Sequence, residues 1–241
     1  PKQPIVARKN GFRPLKDSLT VSSDTTFTIT LQRSRIIYVK SNAAGLNDGT
    51  SWSNAYKILQ TAINSAFEGD QIWIAKGKYY PTEQWNVSSP RAVSFRLAKE
   101  VVLFGGFPGN TGEEGLFSIR NIESNPTVLS GDIDKNDVVD ARGISTTINL
   151  NNSFYVIFNN DNSLDNTSIV NGVYVTGGRA NTGLYRQGAA VYNEKSSPTF
   201  SNCYFINNTS NTDGAVYNRE SAAQFIDCDF SGNVNGALFN E

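Results

Sequence analysis

The sequence predicts an all-β chain: a right-handed parallel β-helix with an N-terminal capping α-helix, preceded by a short β-hairpin segment. Three observations predict it. A corner motif recurs as Gly188-Ala-Ala-Val-Tyr-Asn193, Gly214-Ala-Val-Tyr-Asn218 and Gly236-Ala-Leu-Phe-Asn240. Between the corners, Phe200-Ser-Asn-Cys-Tyr-Phe205 matches Phe225-Ile-Asp-Cys-Asp-Phe230. Asn193 and Asn218 are 25 residues apart, Asn218 and Asn240 are 22, and Cys203 and Cys228 are again 25. A period of roughly 20–30 residues made of short β segments marks a solenoid, whose repeats bury their apolar faces only by stacking. The third observation is a single amphipathic helix near the start, in a position to cover the first repeat.

Within each repeat the spacing is two. Cys203 and Phe205 share one face of a strand, as do Cys228 and Phe230. Stacking sets like residues one above another at about 4.8 Å. The expected ladder is Asn193 under Asn218 under Asn240, Cys203 under Cys228, and Phe205 under Phe230. Stacked Asn side chains satisfy buried amides and carbonyls from one repeat to the next. Cys203 and Cys228 then lie within disulfide range, but parallel in-register side chains suit the bond's dihedral badly, which favours free thiols.

Residues 1–35 stand apart as the end of an upstream β-sandwich-like module or a linker arm. Ser18–Ser22 and Thr26–Leu31 alternate polar and apolar residues around Ser22-Ser-Asp-Thr25, a hairpin pattern. The β-helix is expected over 36–241, beginning with the strand Ile36–Val39. A helix is predicted over about 53–67. Trp52, Ala55, Ile58, Leu59, Ala62, Ile63, Ala66 and Phe67 recur at helical spacing, Ser53 or Asn54 is placed to cap the start, and Gly69 to end it. Short strands then follow at Gln71–Ala75, Val101–Phe104, Thr127–Ser130, Tyr155–Phe158, Ile169–Val170 and Val173–Val175. The chain opens at Pro1 without Met and stops just after a fresh corner, so it is expected to be a processed piece that continues beyond Glu241.

Composition narrows the function. Lys and Arg number 21 against 22 Asp and Glu, with no basic block, which argues against nucleic acid. No apolar run reaches the roughly 18 residues of a membrane-spanning helix. There is no His, which excludes Ser-His-Asp chemistry and His-ligated zinc. Abundant Asn, Ser, Thr, Gly and aromatic residues suit a turn-rich extracellular β protein.

Several stretches carry a family likeness. They are Asn47-Asp-Gly-Thr-Ser-Trp-Ser-Asn-Ala55, Gly69-Asp-Gln-Ile-Trp-Ile-Ala-Lys-Gly-Lys-Tyr79, Phe104-Gly-Gly-Phe107, Thr127-Val-Leu-Ser-Gly-Asp-Ile133 and Val175-Thr-Gly-Gly178. Over about residues 36–241 the chain resembles the pectate-lyase-like right-handed β-helix repeat proteins of bacterial surfaces, of the choice-of-anchor and polymorphic outer-membrane-protein types. The resemblance implies an extracellular or cell-surface location, adhesive or structural roles within a large polypeptide, and no conserved active site. Tyr155 stands where the resemblance leads one to expect His.

Asn211-Thr-Asp-Gly214 resembles the start of the polygalacturonase signature, but Val216 stands where its next Asp belongs, and no further acids follow. Asp132, Asp134, Asn136 and Asp140 offer oxygen ligands at positions 1, 3, 5 and 9 of a calcium-type loop. Asp137 and Gly143 replace the Gly and Glu of an EF-hand, so the expectation is a looser calcium site; no other cofactor is implied. Arg179, Arg186 and Arg219 have no acidic trio at repeat spacing beside them, as lyase chemistry would require. Trp85, Tyr185 and Tyr204 offer rings that either stack on sugars or pack on loops. The long loops 81–94 and 107–126 are placed to contact ligand. The expected function is a non-catalytic, adhesin-like rod and display surface binding surfaces or glycans by many weak contacts, joined to further domains of the same polypeptide. The rival is a polysaccharide lyase or glycoside hydrolase whose catalytic residues lie outside this segment; a passive stalk without ligand is a third reading.

Overall fold

The structure, a computed structural model, describes residues 2–9, 11–20 and 28–241. It is nearly all β, and its three main sheets are parallel. A six-stranded sheet runs in spatial order Ile36–Val39, Gln71–Ala75, Val102–Phe107, Ile169–Asn171, Thr199–Ser201 and Gln224–Ile226. A five-stranded sheet holds Gly77–Tyr79, Thr127–Ser130, Tyr174–Thr176, Tyr204–Ile206 and Asp229–Ser231. A four-stranded sheet holds Ile157–Asn160, Val191–Glu194, Val216–Arg219 and Leu238–Asn240. From residue 157 onward, each pass of the chain adds one strand to each sheet. Each strand pairs in parallel with its equivalent 22–34 residues later, as Asn159, Asn193, Asn218 and Asn240 illustrate. This parallel-sheet arrangement is compatible with a β-solenoid.

The corners explain why Gly, Asn and Asp recur. Between the six- and five-stranded sheets the chain turns through left-handed φ at Gly172, Asn202 and Asp227, with φ of 74°, 50° and 51°. Residues without a large Cβ penalty, or with a short polar side chain, are those that tolerate this conformation. Gly188 is doubly constrained. Its φ is 63°, and a Cβ there would come within 2.6 Å of the Val191 carbonyl oxygen.

The core lies between the sheets. Val39, Ile72, Leu103, Val170 and Phe200 enter it from the six-stranded sheet, Leu129, Val175 and Phe205 from the five-stranded sheet, and Ile157, Val191 and Val216 from the four-stranded sheet. All eleven are at most 1 % exposed. Phe200 stacks on Phe225 and Phe205 on Phe230, with ring centroids 5.2 and 4.8 Å apart.

The predicted helix is shorter than its periodicity. Helix α1 spans Leu59–Ser65 only. The reason is that residues 53–58 spend their backbone groups elsewhere. Tyr56 pairs with Tyr38 and Lys40, Ser53 accepts from the Gly45 amide, and the Asn54 side chain accepts from the Leu46 amide. Neither Ser53 nor Asn54 caps the helix; Ile58 stands at its N-cap without a side-chain bond. Trp52 and Ala55 are buried in a separate cluster with Tyr38, Trp73 and Phe107. Phe67, expected on the apolar face, is 59 % exposed, and its ring lies against the guanidinium groups of Arg13 and Arg35. The buried side of α1, Leu59, Gln60, Ala62 and Ile63, faces the first two strands of the six-stranded sheet.

The N-terminal segment does contain an antiparallel pair, with partners other than those expected. Leu15–Thr20 pairs with Lys2–Ala7, and residues 28–31 form no strand. Alternation identifies a strand but not the neighbour it chooses. The expected turn at 22–25 lies outside the described residues. Arg13 makes two side-chain bonds of 3.0 Å to Asp70, and Lys16 reaches Glu68 and Glu100 at 2.6 and 2.9 Å, so ion pairs tie this segment to the sheets.

Candidate functional site

Period-two alternation sorts the residues of the four-stranded sheet. Ile157, Asn159, Val191, Asn193, Val216 and Asn218 are buried. The residues between them, Phe158, Tyr192 and Tyr217, therefore form the opposite face, and Phe239 of the last strand continues them in direct register across four strands. Ring centroids along this row are 5.4, 5.2 and 5.9 Å apart. A charged row runs beside it. Asn160, Glu194 and Arg219 are in register, Arg219 pairs with Glu194 at 3.3 Å, and the Tyr192 hydroxyl donates to Glu194 at 3.2 Å. The Tyr217 hydroxyl bonds to Glu241. The Arg219 guanidinium is held above its ordinary pKa, first by Glu194, then by Tyr192 and Glu241.

Two loops complete the row at its Phe158 end. Trp85 lies 4.5 Å from Phe158 and 5.6 Å from Tyr155, centroid to centroid. Its indole N–H donates to Ser94 at 3.0 Å, and the Ser94 hydroxyl donates to the Tyr155 carbonyl at 2.7 Å, which fixes the ring's angle. Tyr185 meets Trp85 edge-on at 5.1 Å and accepts from the Asn86 amide at 2.8 Å. Arg91 pins the 81–94 loop from below through the Asn152 and Arg179 carbonyls, each at 2.6 Å; burial and then the like charge of Arg179 push its pKa down to about 10. Trp85, Phe158, Leu184, Tyr185 and Tyr192 line a depression of about 260 Å³. Leu184 stands 88 % exposed at its rim. The arrangement is a strip of rings packed on one another, with interplanar angles of 42°, 32° and 2° along the row, and with hydrogen-bonding groups along one side. Tyr217 is buried within it, whereas the depression lined by Trp85, Tyr185 and Tyr192 can take the apolar face of a sugar ring, with Glu194 and Arg219 nearby to meet its polar edge.

Of the three aromatic residues singled out in the sequence, the structure brings Trp85 and Tyr185 together. Tyr204 is elsewhere, stacked on Tyr174 at 4.5 Å on the five-stranded sheet, beside the 107–126 loop. The rest of the row was missed. Its signal was the residue immediately before each ladder Asn, which period two must place on the opposite face.

The ladder residues are in register. Asn193 donates to Asn218 and Asn218 to Asn240, each at 2.8 Å, and Asn159 donates to Asn193 at 2.9 Å as a further rung. A second Asn contact, Asn208 to Asn233 at 2.9 Å, was also legible as a 25-residue repeat. Cys203 and Cys228 are free thiols; Cys203 is buried and Cys228 half-buried. Burial first, and Cys228 second, push the Cys203 thiol up, while the bond from Cys203 lowers that of Cys228.

The acidic loop is internally bonded. Asp132 accepts from the Asn136 and Asp137 amides at 2.9 and 3.2 Å, Asp134 from the Asn136 and Asn151 side chains, and Asp140 from Arg142 and the Ile144 amide. Among the described residues, no group of three or more His, Cys, Asp or Glu side chains is placed to hold a metal ion. Asp213 sits in the left-handed turn before Gly214, with φ of 55°. Arg179 donates to the Ile148 carbonyl at 3.1 Å, and Arg186 is exposed. Among the described residues, no helix is long and apolar enough to cross a membrane.

In comparison with known proteins, the chain matches no family model, and no curated protein or solved structure matches it.

Proposed function

We propose that residues 36–241 form a right-handed parallel β-helix capped by α1, and that it works at a bacterial cell surface as a non-catalytic, glycan-binding display module of an adhesin-like protein. The strand order supports the solenoid: from residue 157 onward successive passes add strands to the same three sheets in the same sequence, and earlier strands add to two of them. Right-handed crossovers are the rule for parallel strands, which sets the hand. The buried side of α1 against the first strands supports its role as cap.

The single observation that carries the function is the in-register row Phe158, Tyr192, Tyr217 and Phe239, extended by Trp85 and Tyr185. Aromatic rings at strand spacing repeat at close to the length of one pyranose unit. A glycan meets the partly exposed rings of Trp85, Tyr185 and Tyr192 at one end and Phe239 at the other, with the buried Tyr217 bridging between them, and many weak contacts sum to useful affinity. The carboxylates beside the row are already engaged, Glu194 by Arg219 and Tyr192, and Glu241 by Tyr217. That favours binding over the acid–base work of a glycosidase, which needs a pair of carboxyl groups free to exchange protons.

Affinity electrophoresis through gels containing neutral polysaccharides tests the reading. The wild-type protein is expected to be retarded by at least one of them, and Trp85→Ala and Tyr192→Ala to migrate faster in that gel while keeping a wild-type circular dichroism spectrum at the assay temperature. Equal retardation of both variants would overturn the assignment.

A further inference from the structure

A second concave site lies beside the five-stranded sheet. Gly77–Tyr79 is the outermost strand of the five-stranded sheet. Beside it, the segment leading into α1 and the turn at 132–135 close a cavity of about 480 Å³. This is within the roughly 300–1,000 Å³ range of small-molecule sites. Lys57, Lys78 and Lys135 line it, together with Tyr80, Ser41 and Thr82, and no acidic residue does.

The backbone beneath each cation is fixed. Lys78 is paired in register with Val128, and alternation turns it away from the buried Tyr79. Its stem passes so close to Gly143 that a Cβ there would lie 2.9 Å from Lys78 Cγ. Lys135 occupies a left-handed turn, φ 59°, closed by its amide on the Asp132 carbonyl at 3.2 Å. The Lys57 amide is held by Asn47 at 2.9 Å. The ammonium groups of Lys78 and Lys135 lie 5.9 and 5.0 Å from the centre of the Tyr80 ring. Among the described residues, none of the three lysines has an ion-pair partner. Among the described residues the ion pairs are those of Arg8, Arg13, Lys16, Arg35, Arg142 and Arg219, none of them at this cavity. The whole chain carries a formal charge of −1, so three lysines around one cavity that no acid lines are not the overflow of a basic surface.

We infer that this cavity binds an anionic saccharide unit, one bearing carboxylate or sulfate. Lysines present point charges that accept an anion in several orientations, without the fixed fork of arginine. Their attraction is strengthened where a cavity's walls exclude water. A cavity of 480 Å³ is far larger than a bare oxyanion needs, and Ser41, Thr82 and the Tyr80 ring offer hydroxyls and an apolar face for the rest of a sugar. The site extends the glycan-binding reading from neutral to charged chains, but it uses none of the residues of the aromatic strip.

Titration calorimetry at low salt with the whole chain tests it, using a digalacturonate, a heparin-derived sulfated disaccharide, cellobiose and inorganic sulfate as probes. At least one acidic disaccharide is expected to bind, more tightly than sulfate or cellobiose, and more weakly as salt is raised. The two acidic arms show whether carboxylate or sulfate is preferred. Combined Lys57→Gln, Lys78→Gln and Lys135→Gln is expected to weaken that binding at least about fivefold, the cumulative effect of three exposed ion pairs. Lys135→Gln alone, at an exposed turn, repeats the test with little demand on folding and is expected to weaken it measurably. Tyr192→Ala is expected to leave it unchanged; if Tyr192→Ala abolishes it, the strip and not this cavity is the acidic site. No binding of either acidic disaccharide, affinity equal to that of sulfate, or affinity indifferent to the lysine substitutions would each overturn the inference.

Discussion

Replacing Asn193 by Ala tests the ladder at its centre. Asn193 is fully buried, accepts from Asn159 Nδ2 at 2.9 Å and donates to Asn218 Oδ1 at 2.8 Å. Asn193→Ala leaves the Asn159 amide and the Asn218 carbonyl oxygen without those partners, at positions 0 % and 2 % exposed. An orphaned buried polar group costs roughly 1–3 kcal/mol, so two of them predict a loss of about 2–6 kcal/mol. Against a total of about 5–15 kcal/mol for a typical domain, that is a large fraction. Urea unfolding followed by circular dichroism reads it as a fall in midpoint. Asn240→Ala is the control. Asn240 is exposed and holds the last rung only, so the expected loss is below about 1 kcal/mol. The double variant Asn159→Ala with Asn193→Ala should lose less than the sum, because each single change strands the other residue and the double change removes both stranded groups. A loss under about 1 kcal/mol for Asn193→Ala, or full additivity of the pair, would refute the reasoning.

Three further outcomes are expected. Burial alone would raise the pKa of Asp70, but bonds from Arg13, the Arg35 and Phe67 amides and the Arg35 side chain outweigh it; Lys16 and Arg8 do the same for Glu100, so both carboxyls lie below their ordinary values. Groups with lowered pKa stabilise the fold above the ordinary carboxylate range and lose that contribution as pH falls through the folded value. The melting temperature should therefore drop from about pH 5 downward, and Asp70→Asn, costing about 3 kcal/mol at pH 7, should differ less from wild type in acid; a pH-independent difference would contradict this. Cys228 should alkylate before the buried Cys203, and mass without reductant should show no disulfide; simultaneous labelling or a loss of two protons would count against the free-thiol geometry. Calcium at Asp132, Asp134, Asn136 and Asp140 would stabilise the fold it binds, so melting with calcium against chelator tests it: a rise in melting temperature with calcium supports an ion there, and equal transitions remove calcium from the account.

The parallel-sheet class was legible because the repeat is short and its spacing within strands is two. Ile36–Val39, Gln71–Ala75 and Thr127–Ser130 are strands where short strands between turns were expected. The α1 boundaries were not legible. Helical spacing over 53–67 arises by coincidence from two structures: Trp52 and Ala55 pack in one cluster, while Leu59, Ala62 and Ile63 belong to another. The partner of Leu15–Thr20 was hidden because strand patterning carries no address for pairing. Trp85 and Tyr185 were read as ring-bearing loop residues, but their meeting needs loops 81–94 and 181–187 folded onto one sheet, a proximity across 100 residues that no local pattern encodes. The three-lysine cavity was invisible for the same reason, since Lys57, Lys78 and Lys135 come from separate segments.

The central claim is that the aromatic strip holds glycan chains without cutting them. Its most direct test incubates the protein with a panel of polysaccharides and measures, in the same samples, protein retention on the polymer and polymer chain length. The account predicts retention that depends on Trp85 and Tyr192, with chain length and reducing-end or unsaturated-end content unchanged. Shortened chains, or retention that survives Trp85→Ala and Tyr192→Ala together, would contradict it.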